Sequence, residues 1–118
     1  MTNRSLYYDR SGHPIGMREW SVLHADMGYK IVARDELNGW LVSTVWLGID
    51  HNFTLTGKPV IFETMVFAPD PCQDDGYQER YTTEDEALQG HQAALAWTRG
   101  QIGTDEYSLR VVPVELGE

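Results

Sequence analysis

The sequence lacks several features that would mark a secreted or membrane protein. Cys72 is the only cysteine in 118 residues, so no disulfide can form within the chain. No apolar run approaches the roughly 20 residues that cross a bilayer. Met1 is not followed by the apolar segment of a secretory signal. We therefore expect a cytoplasmic protein with no membrane association, because a chain without disulfides suits a reducing compartment.

Basic residues are scarce. The chain has 9 Lys and Arg against 18 Asp and Glu, and its net charge is -9. The basic residues are also scattered along the sequence, whereas binding to a phosphate backbone needs clusters of them. We expect no direct nucleic-acid binding, and an anionic membrane surface is disfavoured for the same reason.

The usual catalytic and cofactor motifs are absent. The sequence has no glycine-rich phosphate loop and no G-x-S-x-G elbow around a nucleophilic serine. Its four histidines show no metal-ligand spacing, and Cys72 has no cysteine partner. We expect no cofactor and no metal, and a function other than catalysis is favoured.

Three apolar, β-branched and aromatic runs are the clearest positive feature. They span Tyr29–Leu37, Trp40–Ile49 and Val60–Ala68. Asn38-Gly39 separates the first two, and this pair is typical of a type I′ hairpin turn. The second run is apolar on both faces, which predicts a central strand with something packed on each face.

Helices are predicted on either side of these runs. A short one over 16–26 has an apolar stripe and should end before Gly28. A longer one begins with a capping box, in which Thr83 is the N-cap and Glu86 lies three residues later. It should run to about Thr98 and stop at Gly100. Its predicted inner stripe is Ala87, Leu88, His91, Ala94, Leu95 and Trp97 or Thr98.

Shorter strands complete the predicted fold. They are Leu6–Asp9, Tyr77–Tyr81 and the tail 107–116, which Pro113 confines to a sheet edge. The prediction is one α+β domain over 1–118. It has an antiparallel meander of about four to five strands, packed with one longer C-terminal helix and one short N-terminal helix.

An acidic segment, residues 70–86, holds seven acids and one arginine. It could steer a basic protein partner towards the chain. The alternative is a solvated loop followed by a well-charged helix N-terminus. The candidate binding residues are Asp70, Asp74, Asp75, Tyr77, Glu79, Tyr81 and Glu84.

A candidate pocket comprises Asp50, His51, Glu63 and His91. Glu63 is the one charge on an otherwise apolar strand face, so it is either paired or has a raised pKa. The favoured interpretation is structural, with Glu63 paired to Arg34 or another base. His91 is likewise interpreted first as a satisfied core histidine.

Three segments carry a resemblance to a known family. They are STVWLGIDH from Ser43, IFETMVF from Ile61, and RYTTEDEA from Arg80 with Gly90-His91. Together they resemble a family of small uncharacterised proteins from actinobacterial phages and prophages. The resemblance implies a phage or host-cytoplasm setting, and it assigns no catalytic residue.

Three functions follow from these observations. The favoured one is non-enzymatic binding to a host or phage protein through the sheet, loops or acidic segment, with a homodimer through an open sheet edge as one form. The second is a small-molecule or nucleotide-signal binder that uses Arg34, Lys58 and Arg80 as donors. The third is a small hydrolase that uses Glu63, His51 and His91.

Overall fold

The computed structural model describes residues 5–54, 56–70 and 76–102, together with the backbone of 111–113. It contains three helices and seven strands in these ranges. In chain order they are β1 (Tyr7–Tyr8), β2 (Pro14–Ile15), α1 (Met17–Ala25), α2 (Met27–Lys30), β3 (Ile31–Leu37), β4 (Trp40–Trp46), β5 (Phe62–Phe67), β6 (Gln78–Tyr81), α3 (Glu84–Ile102) and β7 (Val111–Pro113).

The main sheet has five antiparallel strands in the order β6-β5-β4-β3-β7. Strands β3 to β6 form the predicted meander, and β7 lies at the edge beside β3. The hairpin between β3 and β4 turns at Asn38 and Gly39, whose φ angles are 51° and 84°. Both angles fit the type I′ turn that the Asn-Gly pair predicts. The rest of the predicted tail strand lies outside the described residues.

Helix α3 covers one face of this sheet. Its buried side chains include Ala94 and Leu95, which pack against Trp40, Val42 and Val66. A second cluster at the other end of the same face is built on Trp46 and includes side chains of β1, β2, α1 and α2. The described helices therefore all lie on one side of the sheet.

Strand β3 differs from the prediction at its start. Residues 29 and 30 belong to α2, and the register with β4 shifts between Ile31 and Ala33. Ile31 pairs with Val45, whereas Ala33 pairs with Thr44. Adjacent residues on β4 face opposite ways, so Ile31 and Ala33 lie on opposite faces, although a regular strand would place residues two apart on the same face.

The helix ends also differ from the prediction. Helix α1 ends at Ala25, before Gly28 as predicted. Gly28 itself is not left-handed but lies inside α2, where the Asp26 side chain accepts a hydrogen bond from its N–H at 3.0 Å. Helix α3 continues through Gly100 to Ile102. Within its predicted stripe Leu88 is exposed, whereas Ala87, His91 and Thr98 are buried.

Candidate functional site

Two acids of the acidic segment are engaged in contacts within the chain. Glu84 forms a two-point ion pair with Arg10, at 2.9 Å to Nε and 2.6 Å to Nη2. Glu86 accepts hydrogen bonds from the backbone N–H groups of Thr82 and Thr83, both at 3.1 Å, and so completes the predicted capping box. Asp74 and Asp75 lie outside the described residues, and Asp70 ends the preceding described range.

The tyrosines of this segment lie towards the helix layer. The Tyr77 ring packs on Trp97 at a centroid distance of 5.1 Å. Tyr81 lies beside Gly90, where any Cβ would collide with its phenol. Burial raises the pKa of both Tyr77 and Tyr81. Glu79 is one of the predicted binding residues in the described part of this segment. It is exposed, and no ion pair is seen for it there.

His91 is the centre of a buried polar network between α3 and the sheet. Its Nε2 donates to Asp35 Oδ2 at 2.7 Å, and its Nδ1 lies 2.7 Å from Thr44 Oγ1. Thr44 Oγ1 is also 2.5 Å from Thr64 Oγ1. In the neutral Nε2–H tautomer, Thr44 donates to His91 and accepts from Thr64, so all of these groups are satisfied.

This network resembles an Asp-His-Thr relay in its connectivity, but its hydroxyl is inaccessible. Thr44, Thr64 and His91 are all buried under α3. A nucleophile must reach a substrate carbonyl or phosphoryl group, and a hydroxyl enclosed between helix and sheet cannot. The geometry therefore supports the interpretation of His91 as a satisfied core histidine.

Glu63 lies on the opposite side of the sheet from His91. Its Oε2 accepts from Gln78 Nε2 at 2.6 Å and from Arg80 Nε at 3.0 Å. Glu63 is thus paired to a base on the neighbouring strand β6. Arg34, the partner named first in the prediction, lies on β3, two strands away.

The loop after β4 positions the other two members of the candidate pocket. Asp50 Oδ1 accepts from the backbone N–H groups of Asn52 and Val60, at 2.8 and 2.9 Å. His51 Nδ1 lies 2.8 Å from the Ile49 carbonyl oxygen. These contacts organise the loop itself. Glu63 and His91 project from opposite faces of the sheet, so the four residues do not line one pocket.

A cleft of about 510 Å³ lies beside the N-terminus of α3. Its charged lining residues are Arg10, Lys58, Glu84 and Asp85, so both signs are present. Of the three donors in the small-molecule hypothesis, only Lys58 lines this cleft. Arg34 and Arg80 project from the face of the sheet opposite α3.

That face, here called the open face, has no described helix or strand packed against it. The strand register assigns eleven side chains to it. They are Ile31, Arg34, Glu36, Leu41, Ser43, Val45, Glu63, Met65, Phe67, Gln78 and Arg80.

Five of these eleven side chains are apolar. Leu41, Val45 and Met65 are half-buried, and Phe67 is 42% exposed. An antiparallel sheet that faces water normally presents polar residues on its wet side. A row of apolar side chains across two central strands is instead typical of an interaction surface. The apolar residues on both faces of β4 predict a packed layer on each side, and among the described elements only the side of α3 has one.

The open face also carries a guanidinium with one unsatisfied N–H. Arg34 Nε is buried against the sheet and has no hydrogen-bond partner. Two residues later on the same face, Glu36 is exposed, and no ion pair is seen for it within the described chain. A buried N–H without a hydrogen-bond partner costs free energy, so a carboxylate brought to Arg34 by a partner would stabilise this face.

No protein-family model, curated protein or solved structure matches this chain. The resemblance to small phage proteins therefore stays a prediction. Among the described helices, none combines the length and hydropathy needed to cross a bilayer. Within the same residues, no three His, Cys, Asp or Glu side chains are placed to share a metal ion.

Proposed function

We propose that this chain acts by binding a protein partner, without catalysing a reaction, in the cytoplasm of a phage-infected or prophage-bearing host. The observation that carries the proposal is the open face, which combines half-buried apolar side chains with a buried Arg34 Nε that has no hydrogen-bond partner. A protein surface with apolar side chains and a carboxylate would satisfy both features.

The net charge supports a particular kind of encounter. A charge of -9 attracts basic partners over distances of about 10 Å at moderate ionic strength. Long-range attraction raises the association rate, whereas the apolar contacts of the open face slow dissociation. The acidic segment thus has a supporting role in the proposal, and the open face is the contact surface.

The test is a capture experiment with a matched pair of aromatic variants. Wild-type protein, Phe67→Thr and Phe53→Thr are immobilised and exposed to host lysate, and captured proteins are identified and then purified. Phe53 is more exposed than Phe67, at 79% against 42%, but it lies in the loop between β4 and β5 and on no strand of the sheet. Binding of the purified partner should weaken by about tenfold for Phe67→Thr and remain unchanged for Phe53→Thr.

A third variant separates the open face from the acidic segment. Asp74→Asn, Asp75→Asn and Glu79→Gln together remove charge while leaving the Glu84–Arg10 pair intact. We expect it to slow association and to leave dissociation nearly unchanged. If this variant lost all binding while Phe67→Thr bound as tightly as the wild type, the open face would not be the contact surface.

A further inference from the structure

We infer that the open face binds the open face of a second copy of this chain, in a two-fold symmetric homodimer. This inference rests on the proposed function, because it uses the same contact surface. The net charge of -9 on each copy opposes the encounter, so the binding has to come from the contacts of the face itself. Three features of the open face support a homodimer: the arrangement of charges on β3, the position of the apolar side chains and the size of the surface.

The charges are self-complementary. Arg34 and Glu36 lie on one strand, two residues apart, and both project to the open face. In a two-fold interface, residue i of one copy contacts residue j of the other, and j contacts i. Consider a two-fold axis that lies between the two sheets, runs perpendicular to the strands and passes over residue 35 of β3. Rotation about this axis would place each Arg34 opposite the Glu36 of the other copy. The two ion pairs would satisfy both guanidinium groups.

The same axis brings the apolar side chains together. On neighbouring strands, Glu36 pairs with Leu41, Arg34 pairs with Ser43, and Ser43 pairs with Met65. Rotation about an axis at this level places each strand over its own copy in the antiparallel direction. Phe67 of one copy then lies over Met65 of the other, and water is excluded from both. Two sheets that pack in this way form a sandwich about 10 Å thick.

The size of the face sets the expected strength. Specific interfaces of standard size involve roughly 20 to 30 residues on each side. An axis at residue 35 overlaps seven of the eleven open-face residues, because the row of Ile31, Val45, Glu63 and Arg80 has no counterpart beyond the hairpin turn. We therefore expect a reversible dimer with a dissociation constant in the micromolar range, populated at high protein concentration.

The test is sedimentation equilibrium over a concentration series with charge-reversal variants. Arg34→Glu and Glu36→Arg should each weaken the dimer by about tenfold or more, because each places like charges opposite one another. The double variant Arg34→Glu/Glu36→Arg reverses both reciprocal pairs and should restore the wild-type dissociation constant to within about threefold. Circular dichroism spectra establish that each variant is folded.

Arg18→Glu and Glu19→Arg are the matched controls. Both residues are exposed on α1, on the side of the sheet away from the open face, and their reversal changes the net charge by the same amounts. They should leave the dimer unchanged. A wild-type chain that stays monomeric at every concentration, or a double variant that is not restored, would overturn the inference.

The outcomes also separate this inference from the proposed function. If the wild type is monomeric but Phe67→Thr loses a captured protein, the homodimer is wrong and binding through the open face stands. If Phe67→Thr changes neither self-association nor capture, both are wrong. A dimer that Phe67→Thr weakens and Phe53→Thr does not would support both.

Discussion

At the scale of single residues, the buried network around His91 shows how polar groups fix the position of α3 on the sheet. His91 contacts Asp35 on β3 through Nε2 and Thr44 on β4 through Nδ1. Both contacts require one placement of the helix along the strands, since a buried polar atom without its partner is destabilising. The apolar neighbours could tolerate small shifts of α3, so it is the polar network that sets the position of the helix on the sheet.

Replacement of Thr44 tests this role. Thr44→Val keeps the shape of the side chain but leaves His91 Nδ1 and the Thr64 hydroxyl without their partner, and should lower the free energy of unfolding by about 1–3 kcal/mol. Thr44→Ser retains the hydroxyl and should cost less. Urea denaturation of both variants measures the difference, and a Thr44→Val protein as stable as Thr44→Ser would contradict it.

The pairing of Glu63 shows what residue-level reasoning could and could not predict. An isolated acid on an apolar strand face predicts a basic partner, and Arg80 is that partner. The identity of the base depends on which strands are neighbours, and β6 lies beside β5 while β3 does not. Arg34 was therefore a reasonable candidate only until the strand order was known, and its lack of a partner became visible only in the fold.

At the scale of elements, the start of α3 was predictable and its end was not. Thr83 and Glu86 cap each other through local contacts that depend on a few adjacent residues. Gly100 predicts a helix stop, but glycine within a helix costs only about 1 kcal/mol. Packing of the helix against the sheet, including buried Thr98, is sufficient to carry it past that position.

Replacing each of the two glycines of α3 with alanine should change the free energy of unfolding in opposite directions. A Cβ at Gly90 would overlap the Tyr81 phenol, whereas a Cβ at Gly100 meets nothing within 4 Å. Gly90→Ala should therefore lower the unfolding free energy, by about 1–3 kcal/mol. Gly100→Ala should raise it, by about 0.5–1 kcal/mol. Thermal and urea denaturation give both values, and changes of the same sign would rule out this account.

The capping box should make the N-terminus of α3 sensitive to acid. Hydrogen bonds from Thr82, and then from Thr83, hold the pKa of Glu86 below its ordinary value of 4.5. The stability from the ionised carboxylate is thus fully present above about pH 4.5 and is lost as the pH falls through the lowered pKa.

The difference in unfolding free energy between wild type and Glu86→Gln reports this contribution. It should be largest near neutral pH and should shrink as the pH is lowered to about 3. Asp85→Asn removes the same charge from the same helix turn without removing a cap, and serves as the control. If the difference in unfolding free energy between wild type and Glu86→Gln instead grew as the pH fell, the assigned role of the ionised Glu86 carboxylate as a helix cap would be wrong.

At the scale of the whole molecule, the sequence predicted the α+β architecture because its features were local or periodic. The hairpin turn, the capping box and the alternation of β4 each fix one piece of the fold. The bulge at the start of β3 and the absence of a described layer on the second face depend on long-range pairing. No local pattern encodes them, and for that reason the open face emerged from the structure.

The last prediction concerns how much of the chain is needed for folding. Among the residues that the structure describes, both core clusters are formed by residues up to Ile102. In the same part of the chain, β7 adds three paired positions, opposite residues 35 to 37 of β3. A chain that ends after Ile102 should therefore still unfold cooperatively, with a free energy of unfolding lower by about 1–3 kcal/mol for the lost hydrogen bonds.

Removal of β7 also turns β3 into an exposed edge strand. Its free N–H and C=O groups should promote pairing between chains, since unprotected edges are templates for association. A chain that ends at Pro113 keeps β7 and is the control. Light scattering should show association that rises with concentration for the shorter chain beyond that of the control. A shorter chain that loses cooperative unfolding altogether would place part of the folding core beyond Ile102.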